Sequence, residues 1–236
     1  MSIFHFKQFS VDQTGCAMKV NTDGVLLGAL ADGSNANNLL DIGTCTGVIA
    51  LMLAQRFAQT NIDAVELDEA AAQTALKNFE ASLFADRLAI HAQSFQEYFA
   101  LHPEKKFDLI VSNPPFYIQS LPSPRAAKNM AKHAADDFFD KLIKGCLSHL
   151  NDEGVLWLIL PLLTSALVKE LAATNELFVQ QVISIHSYPD SEPHREILAL
   201  GKDQTKVAVH RLTIYSEPKV YADEYREVLK DFLTIF

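Results

Sequence analysis

Five short apolar runs alternate with longer helical patterns from residue 38 onward: NLLDIG, NIDAVEL, RLAIHAQ, FDLIVSN and GVLWLILP. Runs that are apolar at successive positions bury both faces, which requires helices on both sides of the sheet they form. The stretches at about Val48 to Ala58, Glu69 to Leu83 and Asp136 to His149 supply such helices, and another is expected over Thr164 to Ala173. This order predicts an α/β fold around a mostly parallel sheet. Further on, FVQQVISIHSYP, REILALGK and KVAVHRLTIYS are separated only by turn-like segments, so the sheet is expected to end in antiparallel strands. In the final YADEYREVLKDFLTIF, Tyr225, Leu229 and Phe232 recur at helical spacing and predict a packed C-terminal helix.

Composition narrows the class. Apolar residues make up 49% and charged residues 21% of the 236, which suits a folded globular chain and is too apolar for disorder. One domain over residues 1–236 is expected, with 1–37 as an N-terminal segment covering a cofactor site and 38–236 as the core. No apolar run approaches a membrane span, and the start MSIFHFKQFSVDQTG lacks the order of a signal peptide, so a cytoplasmic location is expected. Cys16, Cys45 and Cys146 are odd in number and lack C-x-x-C spacing. They are expected to be reduced and mostly buried, with no metal site. The net charge of -9 argues against a protein that coats nucleic acid, while leaving room for a local basic face.

LLDIGTCTGVIALMLAQRF runs strand, glycine-containing loop, helix. That order sets backbone N–H groups and a helix N-terminus beside the carboxyl end of a strand, where a ligand can approach. Gly43 and Gly47 permit close approach or positive φ, Thr44 lies between them, and Asp41 ends the strand. A plain tight turn is the simpler alternative. Against it stands Glu66, which ends the next strand where a carboxylate accepts hydrogen bonds from both hydroxyls of a ribose, with Leu67 next in the chain. The spacing is D-x-G-x-x-x-G, with Cys45 in place of the second glycine of the dinucleotide fingerprint, and this disfavours NAD and a nicotinamide oxidoreductase.

These residues resemble the class I S-adenosylmethionine-dependent methyltransferases, whose first motif and ribose-binding acid match Asp41, Gly43, Gly47 and Glu66. The resemblance implies a Rossmann-like sheet of seven strands with an antiparallel strand near one end, and S-adenosylmethionine as the cofactor. In KVNTDGVLLGALA it implies that Thr22 and Asp23 lie near the methionine end; an ordinary capped helix start is the equal alternative. In HAQSFQEY, Ser94 and Phe95 stand where many relatives carry an acid and an apolar residue beside the adenine, so Ser94, Gln93 or a backbone carbonyl would substitute.

The fourth run leads into NPPF. Asn113 comes directly after the strand and therefore lies on the same sheet edge as the Asp41 to Gly47 loop. Its amide offers one acceptor, and Pro114 and Pro115 leave their carbonyls free because proline has no N–H. Asn113 and the Pro114 carbonyl could accept both N–H bonds of a planar NH₂ group and orient its nitrogen toward a sulfonium methyl. Phe116 would stack on the plane that bears it. A β-turn closing a strand is the alternative. After a fourth strand, N-P-P-[FYW] resembles the amino-methyltransferases of adenine N6, guanine N2 and glutamine N5.

The choice among amines rests on the basic segment downstream of NPPF. From Leu109 to Ala135 there is no acidic residue, while Arg125, Lys128 and Lys132 recur at helical spacing with His133 adjoining. They form an expected phosphate-binding face, with Lys19 and Lys7 as further contacts; a solvated helix is the alternative. Over nearly its whole length the chain resembles the bacterial tRNA (adenine-N6)-methyltransferases that modify the adenine beside the anticodon of a valine tRNA. That resemblance implies an anticodon stem-loop as partner and a flipped, unpaired adenine as substrate. The sequence leaves the oligomeric state open, with a monomer favoured. His133, His186 and His194 are expected to satisfy local hydrogen bonds.

Overall fold

The computed structural model describes residues 3–16, 18–115 and 125–236, with the side chains of 125–136 outside the description. An antiparallel hairpin of β1 (Ile3–His5) and β2 (Ser10–Asp12) leads to α1 (Thr22–Leu30). The alternating segment comes next as β3 (Asn38–Ile42), α2 (Val48–Arg56), β4 (Asn61–Glu66), α3 (Glu69–Glu80), β5 (Leu88–Ala92), α4 (Phe95–Leu101), β6 (Phe107–Ser112), α5 (Arg125–His149), β7 (Leu150–Leu160) and α6 (Leu162–Thr174). The remainder comprises β8 (Phe178–His186), β9 (Pro193–Gly201), β10 (Ala208–Thr213), a small β11 (Tyr215–Glu217) and β12 (Val220–Tyr221) ribbon, and α7 (Asp223–Leu229).

The main sheet has the order β10-β8-β9-β7-β6-β3-β4-β5. Only β9 runs against its neighbours, antiparallel to both β7 and β8. The expected seven strands are thus eight, and KVAVHRLTIYS contributes β10, parallel to β8. The reason is local. Leaving β9 beside the start of β8, the chain needs only residues 202–207 to pass under that end and rise on its far side. A short connection therefore yields a parallel pair, because β9 reverses the direction first.

Period-two alternation sorts the side chains. Leu109 and Val111 join a cluster with Trp157 and Ile159 on the face covered by α1, α2 and α7. Ile110 joins Leu156 and Leu158 on the other face, under α4, α5 and α6. Leu109, Ile110 and Val111 are all fully buried, so β6 is held from both sides, each such side chain contributing about 1.5–3 kcal/mol. The C-terminal stripe packs as expected, with Tyr225, Leu229 and Phe232 all buried, although the helix stops at Leu229. The helix of Phe95–Leu101 was not anticipated; its start carries a capping box in which Ser94 and Glu97 satisfy each other's backbone N–H groups.

Candidate functional site

The loop after β3 is built by three positive-φ residues, Gly43 (73°), Cys45 (51°) and Gly47 (81°). Its N–H groups at Gly43 and Thr44 both donate to the Val65 carbonyl of β4, at 2.9 and 3.1 Å. Glu66, at the end of β4, accepts from the Cys45 N–H through one carboxylate oxygen and from the Asp68 N–H through the other, each at 2.9 Å. The carboxylate is thereby fixed in direction, and its remaining lone pairs stay available to a ligand.

Beneath the loop, Asp41 is fully buried and accepts the Thr44 hydroxyl at 2.6 Å, while its other oxygen has no hydrogen-bond partner among the described residues. Burial pushes the carboxyl up to about 7, against the smaller opposing effect of the Thr44 hydrogen bond. A folded-state value above the unfolded one means that the proton is held more tightly in the folded chain. This contribution to stability is fully present below about pH 4 and is lost as the pH rises through about 7. Asp41→Asn, which has no such proton to lose, is expected to flatten the fall in unfolding free energy between about pH 5 and pH 8. Chemical denaturation across that range checks this, and an unchanged slope contradicts it.

Across the rim, Asn113 leaves the end of β6. The Ser112 hydroxyl donates to the Ile42 carbonyl at 2.8 Å and ties the ends of β6 and β3 together. The Asn113 side-chain oxygen is buried without a partner among the described residues. Leaving a buried acceptor unpaired is costly, so its persistence at the mouth of a cleft points to a donor supplied by a ligand.

Gly43, Glu66, Leu67, Ser94, Asn113 and Pro114 line one cleft of about 600 Å³, together with Met18, Cys45, Asp68, Gln93 and Phe138. Other expected site residues stand elsewhere. Thr44, Asp41 and Gly47 support the loop from behind, Gly47 as the residue preceding α2. Thr22 opens α1, whose cap is Asn21, and Asp23 turns to Arg195 at 2.8 Å. The Ser94 hydroxyl is engaged with Glu97 at 2.7 Å, which weakens its assignment as a ligand acceptor. Lys19 is exposed beside the cleft residue Met18, whereas Lys7 donates to the Lys230 carbonyl. Phe116 lies outside the described residues, as do the side chains of Arg125, Lys128, Lys132 and His133.

Two expectations about side chains change. Only Cys146 is buried; Cys16 and Cys45 are partly exposed. Burial pushes the Cys16 thiol up to about 12. His186 bonds the Ser191 carbonyl at 2.6 Å as expected, but Nδ1 of His194 is buried without a partner among the described residues. Met18 and Cys45 were missed as cleft residues because the contact between the N-terminal segment and the loop comes from the fold. The Cys45 thiol donates to the Met18 carbonyl at 3.2 Å, which draws the N-terminal segment onto the loop.

A sheet with one reversed strand, a left-handed glycine loop after β3 and a fixed carboxylate at the end of the neighbouring β4 define an S-adenosylmethionine-dependent methyltransferase. The chain belongs to the methyltransferase small domain family, whose model matches residues 20–166. It is similar to a protein of Pedobacter heparinus named tRNA1(Val) (adenine(37)-N6)-methyltransferase, at 45% identity over 99% of this chain and 98% of that one. A protein of the same name from Phocaeicola vulgatus is 41% identical over 97% and 96%. Among solved structures, a predicted O-methyltransferase from Agrobacterium tumefaciens superposes with a TM-score of 0.67 at 16% identity, covering 89% of this chain and 96% of that one. TrmN from Thermus thermophilus gives 0.58 at 21% identity, covering 76% and 48%; at such identities these two show the fold alone.

Proposed function

We infer that the chain methylates N6 of an unpaired adenine in the anticodon loop of a tRNA, with S-adenosylmethionine as donor. The observation that carries this reading is the orphaned Asn113 oxygen on the wall of the cleft that Gly43 and Glu66 also line. The names of the full-length relatives support adenine over guanine N2 or glutamine N5, which the same acceptor pair would also suit. Lys19, Arg125, Lys128, Lys132 and His133 are assigned to the RNA backbone of the anticodon stem-loop, and the setting is the bacterial cytoplasm. Among the described residues no helix is long and apolar enough to cross a membrane, and no cluster of three or more His, Cys, Asp or Glu suits a metal ion.

The residues present fit the donor. A Cβ at Gly43 would meet nothing within 4 Å, so the loop backbone faces open space. Glu66 is directed to accept ribose hydroxyls, Leu67 is 74% exposed and offers an apolar surface to the adenine, and Gln93 borders the same cleft. When bound, S-adenosylmethionine supplies a methyl group made electrophilic by its sulfonium. Residues 1–37 are assigned as the cover of this site within one methyltransferase unit: Asn78 of α3 bonds both the Asp12 and Thr46 carbonyls at 2.9 Å and joins the cover to the loop.

Asn113 and the Pro114 carbonyl hold the two N–H bonds of the substrate amine. The amine lone pair is delocalised into the ring, so orientation is what the site must provide. The amine becomes acidic only as the methyl arrives, and its growing positive charge is then met by acceptors already in place. No general base is required before transfer; the proton leaves to water once the nitrogen carries the methyl and the positive charge. Phe116 is assigned to the face of the flipped base.

Methyl transfer to two unmodified tRNA transcripts tests the reading. The one with adenine at position 37 is expected to be labelled, and its guanine-37 counterpart is expected to stay unlabelled. Equal labelling of both would exclude this adenine as the target.

A further inference from the structure

Tyr188 stands 39% exposed on the loop after β8, and its exposure has no explanation in the packing of the core. The loop is pinned. Ser191 Oγ accepts the Tyr188 N–H and donates to the Tyr188 carbonyl, each at 2.9 Å. The Arg211 guanidinium donates to the Pro189 carbonyl, and the Tyr215 N–H reaches the Ser187 carbonyl at 3.0 Å. Behind the ring runs a ladder of aromatics. Tyr188 lies 5.8 Å from Tyr215, Tyr215 is stacked 5.1 Å from Tyr221, and Tyr221 is stacked 5.2 Å from Tyr225. A loop pinned this way, with Tyr215 against the Tyr188 ring, has little freedom left to lose when something stacks on the exposed part of that ring.

Its position gives the ring a partner class. β8 is three strands from β6 in the sheet order, so at about 4.8 Å per strand the loop lies roughly 14 Å from Asn113 along the same carboxyl rim. Between them the rim exposes Leu162 at 38% and Leu163 at 75% directly after β7. The loop itself carries Asp190 and Glu192, which repel phosphates. What it offers to RNA is an aromatic face, and single-stranded loops are read by stacking splayed bases on such faces.

We propose that Tyr188 is a stacking platform for an unpaired base flanking the target adenine in the substrate RNA. The proposal rests on the RNA reading above. Its role is binding, with the methyl transfer itself left to Asn113.

Steady-state kinetics on an anticodon stem-loop RNA test it, with Tyr188→Ala, Tyr188→Phe and the wild type side by side. Tyr188→Ala is expected to raise KM for the RNA about tenfold, with kcat and the affinity for S-adenosylhomocysteine unchanged. Tyr188→Phe, which keeps the ring, stays near the wild type. Ultraviolet cross-linking of the wild type is expected to join the Tyr188 peptide to a nucleotide beside the target, a readout that does not depend on how the alanine variant folds. An active wild type with neither a KM effect nor this cross-link overturns the proposal, as does a loss confined to kcat. A wild type that transfers no methyl to RNA overturns the functional reading instead.

Discussion

Asn113→Ala is expected to lower turnover on the RNA by about two to three orders of magnitude, the effect of removing one preorganised group that orients the amine and meets its developing charge. Binding of S-adenosylhomocysteine should change by no more than about twofold, because the Glu66 carboxylate, the glycine loop and the hydrogen bond between them are untouched. The separation comes from the position of Asn113. It leaves β6, whose three central residues are buried on both faces and whose end is tied to β3 through Ser112. The alanine variant also removes a buried acceptor that lacks a partner among the described residues, so its unfolding temperature should match or slightly exceed that of the wild type. Single-turnover rates with calorimetric titration check both halves. A variant retaining near wild-type turnover would remove Asn113 from the chemistry.

The second large effect is on stability. Gly47 combines a φ of 81° with a position where a Cβ would lie 2.5 Å from Cε1 of Phe79. Phe79 is buried on α3, so it has little room to yield. Left-handed backbone costs a side chain about 1–2 kcal/mol and overpacking adds about 1–3 kcal/mol. Gly47→Ala is therefore expected to lower the melting temperature by roughly 5–15 °C. Gly43→Ala makes a useful contrast. Its φ is 73°, but the added Cβ meets nothing within 4 Å, so its cost is conformational only and its main effect is to obstruct the cleft. Thermal unfolding with and without S-adenosylhomocysteine should separate the two: Gly47→Ala melts early in both conditions, whereas Gly43→Ala melts near the wild type but loses the shift produced by ligand. Equal melting of Gly47→Ala and wild type would contradict the loop geometry.

The parts of the fold that were legible in the sequence are those where the signal is local. Buried strands announce themselves as runs apolar on both faces, and Asn113 at a strand end inherits its place on the rim from the strand before it. The direction of β10 was not legible, because it depends on β9 lying between β7 and β8. The same holds for the Asp23 to Arg195 ion pair, which joins α1 to the start of β9. The helix at Phe95–Leu101 had a sequence signal, the S-x-x-E of its capping box, and a functional reading of Ser94 obscured it. Within the site, Glu66, Gly43 and Asn113 line one cleft, and Thr22 and Asp23 are not among its lining residues. A helix start can serve a ligand or a cap, and only its neighbours in space decide between the two.

If Asn113 and the Pro114 carbonyl hold a planar NH₂ group during transfer, the new methyl must lie on that exocyclic nitrogen. Mass spectrometry of nucleosides from the product RNA tests it most directly, because methyladenosine isomers separate by retention and fragmentation. N6-methyladenosine is expected from the adenine at position 37. Methylation of a ring nitrogen or a ring carbon of that adenine would contradict it, since neither carries an NH₂ for the acceptor pair to hold.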